Sequence, residues 1–278
     1  DKNAMPRFPV ILNTMTISKD TATYDEKRKV YTGYVGSFIG GPLYIRFSNV
    51  TFTVTISGGV AYSHFILGYT TKEEFEKNAK SSAPYFDLEV WDTGVLHSGP
   101  REMVKNLSYE DFYKAAVLWD KVASVTTTGS IQGIVFLYEP FVAAGSAVAF
   151  VGQGSVNCPT SWMIGSLDYN QAISVGSWGN FHEYHHHFQG YGVGDGGEVT
   201  NNGMNLVSYA LFTKISSART MGDYGGNGLA SWNRYTSATW ALADLLKIQQ
   251  GGTPSNGKNG LAIYATLLHN FGPDNYIQ

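Results

Sequence analysis

The chain has 278 residues, 43% of them apolar, and a net charge of −3, enough to bury a full core as one large domain or two small ones. So mild a charge gives no electrostatic reason to expect nucleic acid or an anionic membrane as partner, and no stretch approaches the ~18 consecutive apolar residues of a membrane-spanning helix. A single cysteine, Cys158, excludes an internal disulfide framework, so stability must come from packing and from a metal if one binds.

Asp1 opens a polar segment without the apolar core of a secretory leader, which is the look of a mature or excised piece. Low charge content with many Gly, Tyr, Ser, Thr and Asn suggests a β-containing secreted or cell-surface protein, and N-x-S/T acceptors at Asn49 and Asn106 are compatible with that. The segments Val30 to Val35, Leu43 to Phe47 and Phe52 to Ile56 are rich in Tyr, Val, Ile, Phe and Thr and broken by glycine turns, which predicts strands. From Thr71, Lys72 to Asn78 predicts a short charged helix, after which Pro84 forces extension. Ser108 is placed to cap a helix, with Asp111 a short substitute for the glutamate of a capping box. Phe112, Ala115, Ala116, Trp119, Val122 and Ala123 then recur at helical spacing and belong to the core.

Ile134 to Tyr138 is a continuous apolar run, expected as a buried strand, and Ala147 to Val151 a second. The segment Ala147 to Gly154 is a candidate edge strand on which a peptide substrate lies, though an ordinary internal strand explains it as well. Asn157 to Ile173 is expected to be irregular. Trp162 and Tyr169 within it are candidate substrate-facing residues, and core packing accounts for them equally. Beyond position 190, Tyr191 to Gly197 is a turn, and Val199 to Ile215 is helical with Met204, Val207, Leu211 and Ile215 near one face. Met221 to Leu229 is a glycine-rich loop, and Trp232 to Ile248 and Leu261 to Phe271 are the last helical stretches.

The chemistry concentrates between these elements. His182, Glu183 and His186 form an H-E-x-x-H pattern, and residues four apart on a helix sit about 40° from each other, so both imidazoles can reach one metal ion. Glu183 lies beside them, where a carboxylate can hold and deprotonate a water that the ion has acidified. Phe181, Tyr184 and Phe188 can seat the helix in a core, and Gly190 can end it. A catalytic zinc site takes three protein ligands and keeps one position open. Glu198, after a glycine-rich turn and at the start of a helical run, supplies the third. His185 sits about 60° from His182 and competes for the ion by position. Only the His182/His186 pair leaves a glutamate in the base position, so His185 is assigned to supporting a ligand or facing substrate, with a solvated histidine an equal alternative. Asn202, one turn after Glu198, is placed to steady a zinc histidine.

These residues carry a resemblance. The pattern His182-Glu183-x-x-His186 with Gln189 beyond it, Trp178-Gly179 ahead and Gly197-Glu198-Val199-Thr200-Asn201-Asn202 behind resembles the enhancin-type, mucin-directed zinc metallopeptidases. Gly40-Gly41-Pro42-Leu43-Tyr44-Ile45, Ser82 to Glu89 and Leu118-Trp119-Asp120 are similar to further motifs of that family, although Tyr85 stands where tryptophan is usual. The resemblance implies an α+β, zincin-like fold of gluzincin type. A β-rich part spans 1–130 and a mostly helical zinc-binding part spans 131–278. It implies one Zn2+ per chain on His182, His186 and Glu198, with Glu183 as the catalytic base. It further implies a glycoprotein or mucin substrate dense in O-glycans, and further domains or chains beyond this stretch. An oxyanion donor is expected, for which Tyr209 is the candidate. Trp162, Tyr169, Tyr191 and Asp195 are candidates for contacting glycan. Two other readings remain: a non-catalytic glycan- or protein-binding module on the same fold, and a histidine-cluster metal-storage protein with several weak sites.

Overall fold

The computed structural model describes residues 22–34, 43, 53–126, 133–139, 150–152, 155–174, 177–188 and 197–212, with further positions at 243, 246, 247, 250, 264, 268 and 270–272. The chain divides into two compact units, Asp1–Ala61 and Tyr62–Gln278. The division expected at 130/131 falls inside the second unit, between a helix and a strand.

In the first unit, β1 (Thr23–Asp25) pairs antiparallel with β2 (Val30–Thr32). The Asp25 carboxylate accepts the backbone N–H groups of Lys27 and Arg28, and Lys29 takes φ 56° to close the turn. The strand expected from Val30 is thus present but short. Thr53 to Ile56 carry no strand, against expectation, and 44–52 lie outside the described residues. Val54 and Ile56 are both exposed, so the alternation there buries no face, and burial is what specifies a strand.

The second unit is built on a six-stranded sheet in the order β3-β4-β5-β6-β8-β7: β3 (Ser63–Ile66), β4 (Tyr85–Val90), β5 (Val95–Pro100), β6 (Ile134–Glu139), β7 (Phe150–Gly152) and β8 (Ser155–Pro159). β3 runs parallel to β4, β5 antiparallel to β4, β6 and β8 parallel to β5, and β7 antiparallel to β8. The α-helices among the described residues are α1 (Lys72–Asn78), α2 (Tyr109–Thr126), α3 (Trp162–Leu167), α4 (Tyr169–Ser174), α5 (Trp178–His185) and α6 (Gly197–Phe212). This is the expected α+β architecture. The segment 157–173 is a correction: it is β8, α3 and α4, not a loop. Every residue of β8 is buried, and its backbone is held by ladders to β6 and β7, so its Asn and Pro sit inside the sheet.

Local chemistry starts the helices. Thr71 and Glu74 exchange side-chain and backbone bonds in a capping box ahead of α1. Ahead of α2, Asp111 N–H donates to Ser108 Oγ at 3.2 Å while Ser108 N–H donates to the Asp111 carboxylate at 3.0 Å, so the shorter aspartate closes the same box. Buried Trp119 of α2 then ties α5 to the sheet. Its ring lies 4.9 Å from Phe136 of β6, 4.9 Å from Phe181 and 5.7 Å from Tyr184 of α5, and its indole N–H reaches the Ser166 carbonyl. Burial of such a side chain is worth about 1.5–3 kcal/mol from transfer alone, and here it fixes α5 against the sheet.

Candidate metal centre

The helix α5 is half sunk into the core. Phe181, Tyr184 and His185 are buried, while His182, Glu183 and His186 are half-buried and face an accessible side. The periodicity of the motif therefore puts its three chemical residues on one face. The helix ends at His185, with His186 as its cap, earlier than the stop expected at Gly190. The His186 N–H still reaches the His182 carbonyl at 3.3 Å, so the one-turn relation between the two imidazoles holds.

Those imidazoles converge. Nε2 of His186 lies 3.1 Å from Nε2 of His182, with the rings at 88°. Two bare nitrogen lone pairs at this separation repel each other unless a proton or a cation lies between them. Two nitrogens held about 2.0–2.1 Å from one tetrahedral zinc are about 3.3 Å apart, so the pair fits the ion. On the far side of the ring, His182 Nδ1 lies 2.7 Å from Asn202 Oδ1. A carboxamide oxygen only accepts, so Nδ1 carries the proton and Nε2 presents its lone pair.

Glu198 is the second residue of α6, one turn ahead of Asn202, and its side chain lies outside the described residues, as do Tyr191 and Asp195. Among the described residues no group of three His, Cys, Asp or Glu side chains gathers. Glu183 lies close enough to β8 for its charge to act on Cys158, whose thiol is pushed well up, first by burial and then by Glu183.

Of the remaining described candidates, His185 and Tyr209 are buried and Trp162 and Tyr169 half-buried. His185 is buried between α5 and α6. Its Nδ1–H donates to Asn205 Oδ1 at 2.7 Å and its Nε2 accepts from Ser208 Oγ at 3.1 Å. Burial pushes its pKa down to about 4, partly opposed by the bond to Asn205, so it is neutral at physiological pH. Neither ring nitrogen is turned toward the His182/His186 pair. Tyr209 is fully buried, edge-on to Phe181 and tilted against Trp178 at 5.5 Å. Trp162 covers Gly179 so closely that a Cβ there would sit 2.3 Å from the indole. Tyr169 packs against the core with Lys114 Nζ 5.9 Å over its ring.

Sequence reasoning missed the buried polar stripe of α6. Asn201 Nδ2 donates to the His182 carbonyl at 2.6 Å, Asn205 Nδ2 to the Trp178 carbonyl at 3.0 Å and Ser208 Oγ to His185 Nε2 at 3.1 Å, while Asn202 beside them is the one the sequence had singled out. The spacing 201, 205, 208 is one helical face, which was the available signal. On the opposite side of α5, Asn180 bonds the Trp162 carbonyl and Ser177 Oγ and accepts from the Cys158 thiol.

A family model described as Peptidase M60, enhancin and enhancin-like matches residues 58–278. The chain is 31% identical over 257 residues to Antigenic protein NP1 of Entamoeba histolytica, covering 87% of this chain and 38% of that protein's length. Its fold is similar to that of a mutant of a functionally unknown conserved protein from Bacillus anthracis str. Ames, at 16% identity and TM-score 0.50 over 77% of this chain and 44% of that one. It is also similar to the ZmpB metallopeptidase from Clostridium perfringens, at 17% identity and TM-score 0.44 over 76% and 52% of the two chains. With the motif, the paired imidazoles and a match over most of its length, the chain belongs to the enhancin-like M60 peptidases, a family of zinc metallopeptidases.

Proposed function

We propose that this chain is a zinc-dependent endopeptidase acting on glycoproteins, in particular on mucin-type O-glycosylated segments. The observation that carries the peptidase reading is the 3.1 Å approach of the two Nε2 atoms on the accessible face of α5, with Asn202 fixing the tautomer that His182 needs as a ligand. His182 and His186 would hold the ion, and Glu198, at the start of α6, is the third ligand in this reading. Bound zinc supplies Lewis acidity toward the scissile carbonyl and acidity to a water. Glu183, next to His182 and half-buried, takes the proton from the attacking water and returns it to the leaving amine. Among the described residues β7 is at the edge of the sheet, which supports the expectation that the substrate backbone lies along the segment around it. A secreted or cell-surface location follows from the substrate class. Among the described residues no helix is long and apolar enough to cross a membrane.

The mucin-type refinement comes from the family's mucin-directed character and is tested directly with one matched peptide pair. The O-glycosylated peptide is expected to be cut far faster than its bare counterpart, followed by mass spectrometry of the products over time. Equal rates on both would remove the glycan from the mechanism and leave a general zinc endopeptidase.

A further inference from the structure

Two aromatic side chains at one end of the sheet have no part in the core. Tyr69, in the loop after β3, is 61% exposed, and Trp91, in the turn between β4 and β5, is 54% exposed. They nevertheless hold each other, with ring centroids 4.6 Å apart and planes at 42°. Trp91 is fixed further by its indole N–H, which donates to Glu89 Oε2 at 2.7 Å. The turn carrying it is pinned as well: the Gly94 N–H reaches the Trp91 carbonyl, Thr93 Oγ1 lies 3.3 Å from Asp120, and Gly94 takes φ 68°. Two large rings are thus kept in water on a rigid base, beside the carboxylates of Glu89 and exposed Asp92.

Rings at 4.6 Å are already in contact, which leaves no gap to enclose a cation between them and only their outer faces open. A flat, apolar face bordered by hydrogen-bond acceptors matches a pyranose, whose C–H face packs on an aromatic ring while its hydroxyls donate to carboxylates. The same carboxylates disfavour an acidic sugar.

The location agrees with such a role. β3 and β4 end where Tyr69 and Trp91 begin, and β8, running opposite to β4, starts at that same end with Ser155. His187, in the turn after α5, is hydrogen-bonded to the Ser155 backbone, so the metal helix finishes at this end of the sheet. From β4 to β8 is three strand spacings, about 14 Å across the strand ends, at right angles to a peptide lying along β7, so the glycan and not the peptide backbone spans it.

We propose that the Tyr69–Trp91 pair is a subsite for a neutral sugar ring of the substrate's glycan, at the end of the sheet where the metal helix also finishes. This rests on the glycoprotein reading above. The test uses a ligand without a peptide bond, methyl N-acetyl-α-galactosaminide, titrated into the full chain and followed by saturation-transfer NMR. Saturable binding is expected. Trp91→Ala and Tyr69→Ala, on separate loops and both exposed enough to leave the melting temperature unchanged, are each expected to weaken it about fivefold or more, the scale of one aromatic contact. Trp91→Phe, which keeps a ring, is expected to retain most of it, and Glu89→Gln to leave the neutral glycoside bound. Absence of binding to the parent chain, or unchanged binding in both alanine variants, overturns the proposal. So does preference of the site for a methyl sialoside or for lysine amide. If the glycoside result holds while bare and glycosylated peptides are cut equally, the subsite stands and the proposed substrate preference falls. If the glycosylated peptide is preferred and the alanine variants bind as the parent does, the reverse is true.

Discussion

Single side chains separate metal binding from chemistry. His186→Ala removes one of the two nitrogens that converge at 3.1 Å and is expected to abolish stoichiometric zinc, measured by elemental analysis. Glu183→Ala leaves both imidazoles in place, so it is expected to keep the zinc and lose nearly all hydrolysis. Loss of zinc in Glu183→Ala would make that residue a ligand or a folding residue and end its assignment as base. Asn202 acts one step back. Its carboxamide oxygen, 2.7 Å from His182 Nδ1, selects the tautomer and aims the ring. Asn202→Ala is expected to weaken zinc binding by about 10- to 100-fold in a chelator competition. Asn202→Asp, which still accepts that hydrogen bond, is expected to restore it. Equal affinity in Asn202→Ala and the parent would show that His182 is oriented by its packing alone.

Between elements, the centre depends on how α5 is clasped. Asn201, Asn205 and Ser208 of α6 hold it from one side through the Trp178 and His182 carbonyls and both nitrogens of His185. Trp162 of α3 closes on it from the other side at Gly179, where only a hydrogen fits. Gly179→Ala places a methyl carbon 2.3 Å from the indole, and overpacking of this kind costs about 1–3 kcal/mol. A lower unfolding midpoint is expected, recovered when Trp162 is shortened to leucine in the same chain. If the two changes add independently in a double-mutant cycle, the close approach is not what the glycine is for. The same elements show what the sequence made legible. H-E-x-x-H is a helical period in itself, and Asn202 was placed from Glu198 by one turn. His185 was not resolved, because position on a helix gives an angle but not which neighbour packs there. Asn205 and Ser208 were not singled out, because nothing in one segment says that another helix will bury them. β8 from Asn157 on read as a loop for the same reason: Asn157 and Pro159 look solvated until β6 and β7 supply the ladders around them.

Across the whole sheet, the folded state holds a titratable group that the catalytic reading does not use. His97 of β5 has no exposure, lies flat on Phe136 with centroids 4.4 Å apart, and sits 4.6 Å from Trp119, the residue that seats α5. Its Nδ1 is 2.9 Å from the Tyr138 hydroxyl. Burial lowers its pKa from 6.5 to about 3. The unfolded chain therefore protonates this histidine as pH falls through 6.5, while the folded chain resists until about 3. Over that window the unfolded state binds more protons, so stability present above pH 6.5 is lost progressively on acidification. One proton of difference between the two states costs about 1.4 kcal/mol for every pH step of one, which makes the loss several kcal/mol by pH 4, a large fraction of a domain's stability. His185, held to about 4 in the α5–α6 clasp, adds in the same direction. The melting temperature, measured with metal removed so that competition between protons and metal does not enter, is expected to fall steeply between pH 6.5 and 4. His97→Phe keeps a ring on Phe136 but removes one partner of the Tyr138 hydroxyl, leaving it Ser166, so its stability at pH 7 is expected to drop. The pH slope is the informative quantity: it is expected to flatten in His97→Phe, and a slope equal to that of the parent would show that the acid sensitivity of the fold is set elsewhere.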